Sequence, residues 1–251
     1  MSANKTGAGF MILAMGAFAL EDSFFKAATQ LTSVGSALIA FGLMGLVIFA
    51  SLSLRAGEAV WHPACLKRTM LIRSAFELMG RLFFGLALAH APLSSTSAIL
   101  QAAPIVVTLG AIFIFGEAVG WRRWIAMALG FLGVLVVIRP GFESFQITSL
   151  YALLATIGFA GRDLATRASP PAMSTAQLGS LGFAVLTVAG LLLSALESTV
   201  PSLPTGQSLL LTAGAAIVGV LAYASLTRAM RAGDVGFVAP YRYTRLVFAL
   251  L

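Results

Sequence analysis

The chain has 251 residues, of which 59% are hydrophobic and only 10% are charged. Soluble domains average about 45–50% apolar and about 25% charged residues, so this composition excludes a soluble fold and predicts an integral membrane protein. The formal net charge of +7 does not indicate nucleic-acid binding, because the basic residues lie in short loops without a long patch of interleaved basic and aromatic residues.

No cofactor, metal ion or catalytic residue is expected. Cys65 is the one cysteine, which excludes an intrachain disulfide, and no metal-ligand spacing surrounds it. The N-terminus has some features of a signal peptide, since Lys5 precedes an apolar stretch that ends in an A-x-A-like pattern at 17–19. The repeat described below instead makes this segment part of the fold.

Nine apolar runs approach or exceed the length of about 20 residues that a helix needs to cross a bilayer. None alternates polar and apolar residues as outer-membrane strands do, so all are predicted to be helices. Short connections rich in turn residues separate them, and nothing between them resembles a soluble domain. The runs are 8–27, 34–54, 69–89, 94–116, 121–138, 148–166, 176–196, 208–227 and 235–251.

Basic residues gather on one side of the predicted membrane, and this asymmetry sets the orientation. With the N-terminus inside, nine Lys and Arg residues lie on the inner flanks, against Arg139 and at most Lys26 on the outer flanks. The sequence therefore predicts a multi-pass protein of the inner or plasma membrane with a cytoplasmic N-terminus. The inner residues are Lys5, Arg55, Lys67, Arg68, Arg122, Arg123, Arg167, Arg228 and Arg231.

A short motif in the first predicted helix recurs 141 residues later. FALEDSFFKA at 18–27 and FAGRDLATRA at 159–168 share Phe, Ala, Asp, a basic residue and Ala at equal spacing. The same offset carries the starts of three further runs onto runs of the second half. Each unit holds five helices, an odd number, so the second copy enters the membrane from the opposite side. This layout is an inverted 5+5 repeat, typical of secondary transporters, with units 1–141 and 142–251.

The offset also predicts a copy of run 121–138 at 262–279, beyond the last residue, Leu251. The sequence ends on LVFALL, within an apolar run. We expect nine spans here, with the end of helix nine and all of helix ten missing from the second repeat. The alternative is a protein that natively has nine helices.

Several motifs resemble one transporter family. Four of these motifs are the helix-four proline, the Gly-Glu that closes that helix, the following WRRW and a glycine-rich fifth helix ending in RPG. They lie in the stretch GLALAHAPLSSTSAILQAAPIVVTLGAIFIFGEAVGWRRWIAMALGFLGVLVVIRPG. VAPYRYTRLVFALL near the end has the proline and tyrosine of a ninth helix. The chain resembles the drug/metabolite transporter superfamily of the ten-helix EamA-like type, from which it departs in the absent tenth helix. The resemblance implies transport of a small metabolite, such as an amino acid, nucleoside, vitamin or drug.

Helix three places Arg73, Glu77 and Arg81 on one face at intervals of four residues. A charge at the bilayer centre costs about 2.5–3.5 kcal/mol on insertion scales, so these residues need a partner or a watery cavity. Arg73 lies nearest the interface and is expected to snorkel to the headgroups. Glu77 and Arg81 form either a structural ion pair or a substrate site, in which Arg81 binds an anionic group and Glu77 is its counter-charge or a proton carrier.

Helix nine carries Arg242, Tyr243 and Arg245 well inside the membrane. Arg242 and Tyr243 are predicted substrate contacts, with ordinary packing as the alternative for Tyr243. The offset makes Gln101 equivalent to Arg242, and Pro104 equivalent to Arg245. Pro104 frees a carbonyl one turn earlier, beside Gln101, where it either lines the cavity or only kinks helix four.

The repeated motif contains two acid–base pairs at a spacing of four residues, Asp22 with Lys26 and Asp163 with Arg167. Each pair is either a gate that closes one side of the membrane or a static tie that neutralises charge. The neighbouring Glu21 and its equivalent Arg162 break the symmetry and are candidates for substrate or proton coupling. The gating or coupling candidates are Glu21, Asp22, Lys26, Arg162, Asp163 and Arg167.

These observations predict a secondary transporter that moves a small organic metabolite, anionic or zwitterionic, by alternating access of the two repeats. Its expected partners are the lipid bilayer, the metabolite and, as coupling ion, protons; the sequence does not specify the oligomeric state. A truncated or accessory membrane subunit that does not transport is the alternative. An intramembrane enzyme is disfavoured because no protease motif is present, and both histidines lie in loops.

Overall fold

The computed structural model describes residues 2–139, 146–202 and 204–249. Their regular secondary structure is helical, with two 3-10 segments, Pro63–Leu66 and Ala239–Tyr243. The α-helices are α1 Ser2–Thr29, α2 Val34–Arg55, α3 Arg68–His90, α4 Leu93–Leu100, α5 Ala103–Phe115, α6 Trp121–Ile138, α7 Ser149–Arg167, α8 Thr175–Leu196, α9 Gly206–Ala232, α10 Val235–Val238 and α11 Thr244–Ala249.

The nine predicted spans are all present in this part of the chain. Span four consists of α4 and α5, and span nine consists of α10, the 3-10 segment and α11. The predicted all-α polytopic membrane fold is confirmed. By length and hydropathy alone, five helical stretches of the described residues could cross a membrane: Ala3–Thr29, Val34–Arg55, Ser95–Phe115, Thr175–Leu196 and Gly206–Ala232.

Local sequence explains several helix ends. The Ser33 hydroxyl accepts a hydrogen bond from the Ser36 backbone N–H, 3.2 Å away, and caps the start of α2. Ser174 and Gln177 form a reciprocal capping box at the start of α8. Gly116 ends α5 in the left-handed conformation, with φ 65°, which glycine adopts without a steric penalty.

The packing of the helices follows the inverted repeat. α1 packs mainly on α9 and α3 packs mainly on α7, and these two pairings are equivalent under the repeat. α2 packs on α8. These two helices are equivalent to each other under the repeat, so this pair lies on the pseudo-twofold axis. The contacts of span four with α7 are matched by those of span nine with α1. The repeat read from sequence therefore describes the tertiary structure as well.

The α3–α7 contact depends on two glycines that meet at the crossing. A Cβ on Gly158 would lie 2.6 Å from Cα of Gly80, so no larger residue fits there without movement. Small residues that let helix backbones approach are typical of membrane helix interfaces.

Large apolar side chains also cover the outside of the bundle, among them Leu20, Val47, Leu129, Leu210 and Ile217. Such extensive apolar surface is suited to lipid rather than to water.

Three features named in the sequence analysis lie outside the described residues. These are Pro140 and Gly141 of the RPG motif, the boundary between the two repeats at 141 and 142, and the final Leu250 and Leu251.

Candidate functional site

Spans four and nine are both broken, at positions that the repeat makes equivalent. Between α4 and α5, Gln101 and Ala102 leave the helix. Their equivalents Arg242 and Tyr243 lie in the 3-10 segment of span nine. Pro104 occupies the first turn of α5, where a missing N–H costs least, so a new helix begins there. Discontinuous helices in corresponding positions of two repeats are the usual marker of a transporter's substrate site.

A cavity lies between these breaks and the helices that face them, and both polar and aromatic side chains line it. About 110 Å³ of it is open to the centres of water molecules, enough for several waters. A hydrated cavity lowers the cost of placing charges within the membrane. The lining residues are Met15, Phe18, Glu21, Asp22, Phe25, Leu38, Phe41, Arg81, Phe84, Leu100, Gln101, Ala103, Pro104, Phe159, Arg162, Leu226, Arg242 and Arg245.

Arg81 presents unused hydrogen-bond donors to this cavity. Its Nε donates to Glu77 Oε1 at 3.3 Å, and its guanidinium lies over the ring of Phe159, 5.7 Å from the centroid. Within the described parts of the chain, neither terminal nitrogen of Arg81 has a hydrogen-bond partner. The side chain is 9% exposed, so these donors are nearly shielded from bulk solvent. A planar guanidinium in this setting suits a carboxylate or another oxyanion.

Glu77 is the centre of a buried network beside the cavity. Its carboxylate accepts hydrogen bonds from Arg81, from Arg162 Nη1 at 3.2 Å and from the Tyr223 hydroxyl at 2.7 Å. The nearest Arg73 nitrogen lies 3.9 Å from Glu77 Oε2. Glu77 is fully buried and is not among the residues that line the cavity. It therefore holds the arginines in place from behind the cavity wall.

Arg73 differs from its prediction. It does not snorkel to an interface: the side chain is 0% exposed and belongs to the same network. Its Nε donates to the Thr166 hydroxyl at 3.0 Å, and its Nη2 donates to the Tyr223 hydroxyl. The helical rise from the end of α3 suggested an interfacial position, but α7 and α8 pack against α3 and the Tyr223 side chain of α9 reaches Arg73.

Tyr223 is the network residue that the sequence analysis missed. It lies on α9, and its hydroxyl links Arg73 to Glu77. The one available signal was its position as a lone tyrosine inside an otherwise apolar helix, a pattern that does not reveal a partner on another helix.

The acids of the repeated motif pair with residues of other elements or with a sequence neighbour, not with the bases one turn away. Asp163 binds Arg162, 2.8 Å away, and Arg242 of span nine, while Asp22 binds Arg245 of span nine. The expected pairs Asp22–Lys26 and Asp163–Arg167 are not formed. Lys26 is exposed, and Arg167 Nη1 donates to the Arg231 carbonyl at 3.4 Å. Both aspartates instead form ion pairs with arginines of span nine.

Glu21 stands apart from these pairs. It is 5% exposed and lines the cavity. Among the residues that the structure describes, it has no ion pair within 4.0 Å and no hydrogen-bond donor. Its repeat equivalent Arg162 is fully engaged by Glu77 and Asp163, so the two positions have different environments.

Comparison with known proteins adds three relatives. A riboflavin transporter of Vibrio cholerae is 27% identical over 257 aligned positions, covering 98% of this chain and 83% of the relative. The pseudopaline exporter CntI of Pseudomonas aeruginosa is 24% identical over 245 positions, covering 97% of this chain and 85% of the exporter. An S-adenosylmethionine uptake transporter of Rickettsia prowazekii is 28% identical over 176 positions, and the match spans 68% of this chain and 58% of that protein. No family model matches the chain.

These relatives support the resemblance of the chain to the drug/metabolite transporter superfamily, of the EamA-like type. A solved crystal structure that is 18% identical in sequence matches this chain with a TM-score of 0.79. The match covers 99% of this chain and 85% of the chain in that structure, so the two share a fold. The relatives are named as transporters and an exporter, not as enzymes.

The Gly-Glu motif at the end of α5 has a visible structural use. Glu117 follows α5, and its carboxylate accepts hydrogen bonds from the backbone N–H groups of Val235 and Gly236, at 3.1 and 2.9 Å. It thereby caps the start of α10 and joins the end of span four to the beginning of span nine.

The remaining site predictions divide between the cavity and its surroundings. Gln101, Pro104 and Arg242 line the cavity. Tyr243 does not: its ring packs against α6 at Gly130, and its buried hydroxyl has no hydrogen-bond partner within the described ranges. Neighbouring residues of a helical segment point in different directions, so Arg242 and Tyr243 do not share a face. Among the described residues, no group of three His, Cys, Asp or Glu side chains could hold a metal ion.

Proposed function

We propose that this protein is a secondary transporter of a small organic metabolite that carries an anionic group, with or without an ammonium group. The observation that carries the proposal is the Arg81 guanidinium, which faces the cavity with free donors. Gln101 and Arg242 complete the polar lining at the two helix breaks, and five phenylalanines supply apolar surface for the rest of the substrate.

The charge balance of the site supports an anionic substrate. Arg73, Arg81, Arg162, Arg242 and Arg245 supply five positive charges. Glu21, Asp22, Glu77 and Asp163 supply four negative charges at most. At least one positive charge is therefore left for an incoming anion, because uncompensated charge is costly in this environment.

Alternating access would use the two ends of the bundle in turn. The Glu77 network lies in the first half of α3 and the second half of α7. This is the side of the cavity nearer the end of the bundle where α1 begins, here called the N-terminal end. Three of the network's repeat equivalents toward the other end are apolar: Gly214 corresponds to Arg73, Val218 to Glu77 and Leu82 to Tyr223, whereas Glu21 corresponds to Arg162. We infer that the N-terminal end is cytoplasmic and that the network closes it in this conformation.

Proton coupling is part of the proposal and is assigned to Glu21. A carboxylate that lines the cavity without a partner can gain or lose a proton without breaking an ion pair. The cavity charge would then change by one unit, which links proton binding to anion binding.

The names of the relatives define a first panel of solutes. Riboflavin and S-adenosylmethionine are what two of them are named for transporting, and pseudopaline is what the third is named for exporting. These compounds differ in charge and size, so the panel also separates anionic from neutral and cationic solutes.

The test is flux of this panel, together with small carboxylates, in ATP-free proteoliposomes containing the purified chain. We expect a solute gradient to drive flux of at least one member, and Arg81→Gln to reduce that flux at least about tenfold, the loss of one charge-assisted hydrogen bond. Arg55→Gln, an exposed arginine at the end of α2, is the matched control and should leave flux unchanged. Equal flux through wild type and Arg81→Gln would overturn the proposed site.

A further inference from the structure

Span nine is tied to the rest of the bundle by two aspartates that the repeat makes equivalent. Asp22 of α1 binds Arg245, and Asp163 of α7 binds Arg242. Asp22 and Asp163 are 141 residues apart, the offset of the repeat, while Arg242 and Arg245 lie three residues apart. One acid from each five-helix unit therefore holds the broken helix that lines the cavity.

The two ties differ in the exposed fraction of their side chains. The side chains of Arg242 and Asp163 are 10% and 2% exposed, whereas those of Arg245 and Asp22 are 34% and 46% exposed. Asp163 also binds Arg162, but Asp22 has Arg245 as its one ion-pair partner among the described residues. The more exposed pair, Asp22 with Arg245, is the easier to separate, because exposed ion pairs stabilise weakly and breaking a buried pair leaves an unpaired charge.

We propose that Asp22 is an internal competitor of the substrate, and that the substrate's oxyanion displaces it from Arg245. Asp22 would turn to water, and the substrate would bind the guanidinium that it vacates. This inference rests on the proposed function, because it requires an anionic group to enter the cavity.

The exchange explains how binding is connected to movement. A ligand shifts a conformational equilibrium only through contacts that differ between the two states. An oxyanion that takes Arg245 removes the ion pair between span nine and α1 and leaves the ion pair of Arg242 with Asp163 of α7 in place. A neutral solute of the same shape leaves the Asp22 tie closed, so Asp22 selects for charge.

The test measures binding to the purified full chain in detergent by calorimetry, with sodium benzoate as the anionic probe and benzamide as its neutral counterpart. Ionic strength is held constant with sodium chloride. We expect Asp22→Asn to bind benzoate about two- to fivefold more tightly than wild type, the strength of one exposed ion pair. Benzamide binding should not change.

Two variants serve as controls. Asp163→Asn removes the buried tie and should not tighten benzoate binding, and Glu197→Gln, a glutamate beside exposed His90, should behave as wild type. Unchanged benzoate affinity in Asp22→Asn, or an equal gain for benzamide, would overturn the inference. Arg81→Gln distinguishes the proposed site from the role of Asp22. If Arg81→Gln abolishes benzoate binding while Asp22→Asn binds benzoate as wild type does, the inference about Asp22 fails and the proposed site stands. Benzoate that binds neither wild type nor Asp22→Asn refutes both.

Discussion

The most informative stability experiment is the replacement of Glu77 by glutamine. This change keeps the shape of the side chain and one carbonyl acceptor but removes the negative charge. Arg81, Arg162 and Tyr223 donate to this carboxylate, and Arg73 lies 3.9 Å away. The substitution therefore leaves three buried guanidinium groups without their shared counter-charge.

The expected loss follows from burial. Removing one partner of a buried ion pair costs about 3–5 kcal/mol, because the remaining charge stays buried without compensation. Glu77 has 0% exposure, so solvent cannot replace it. For a chain of this length, about 1 kcal/mol corresponds to about 2–4 °C in unfolding temperature. We therefore expect Glu77→Gln to lower the midpoint by at least about 6 °C.

The assay is thermal unfolding of the purified chain in one detergent, followed by tryptophan fluorescence at a fixed scan rate. Glu197→Gln is the matched control, since Glu197 lies 3.7 Å from a half-exposed His90. An exposed ion pair is worth about 0–1 kcal/mol, so this variant should shift the midpoint by less than about 4 °C. Equal shifts for the two variants would refute the claim that the Glu77 network is a central electrostatic element.

Three further substitutions test the surrounding structure by the same unfolding assay. Tyr223→Phe removes the hydroxyl between Arg73 and Glu77 and should cost about 1–3 kcal/mol; no loss would exclude that link. Gly158→Ala places a methyl group against the α3 backbone and should destabilise, whereas Gly133→Ala, where a Cβ meets nothing within 4 Å, should not. Glu117→Gln should lower the midpoint modestly, by about 1 kcal/mol, because a neutral amide caps α10 less well; an unchanged midpoint would argue against the cap.

The architecture was largely predictable because its signals are local in sequence. Apolar runs of bilayer length indicate where helices lie, and one offset of 141 residues relates the two halves. The same offset predicted that Gln101 and Arg242 would occupy equivalent positions, and both lie at helix breaks that face one cavity.

The charge pairing was not predictable from the same signals. Asp22 and Lys26 have the spacing of a helical ion pair, but such exposed pairs are weak. In the structure Asp22 pairs with the Arg245 guanidinium of span nine rather than with Lys26. Tyr223 was missed for a related reason, since its role depends on a side chain of α9 reaching Arg73 and Glu77 of α3, and one sequence does not record that contact.

The most direct test of the transport account is whether the cavity is reached from both sides of the membrane. Leu100 lines the cavity, so Leu100→Cys in a Cys65→Ser background places one thiol there. A membrane-impermeant maleimide is applied to sealed vesicles from the outside or, after loading, from the inside. Alternating access predicts labelling from either side. Labelling from one side alone, with and without candidate substrates, would contradict a transporter and favour a non-transporting membrane subunit.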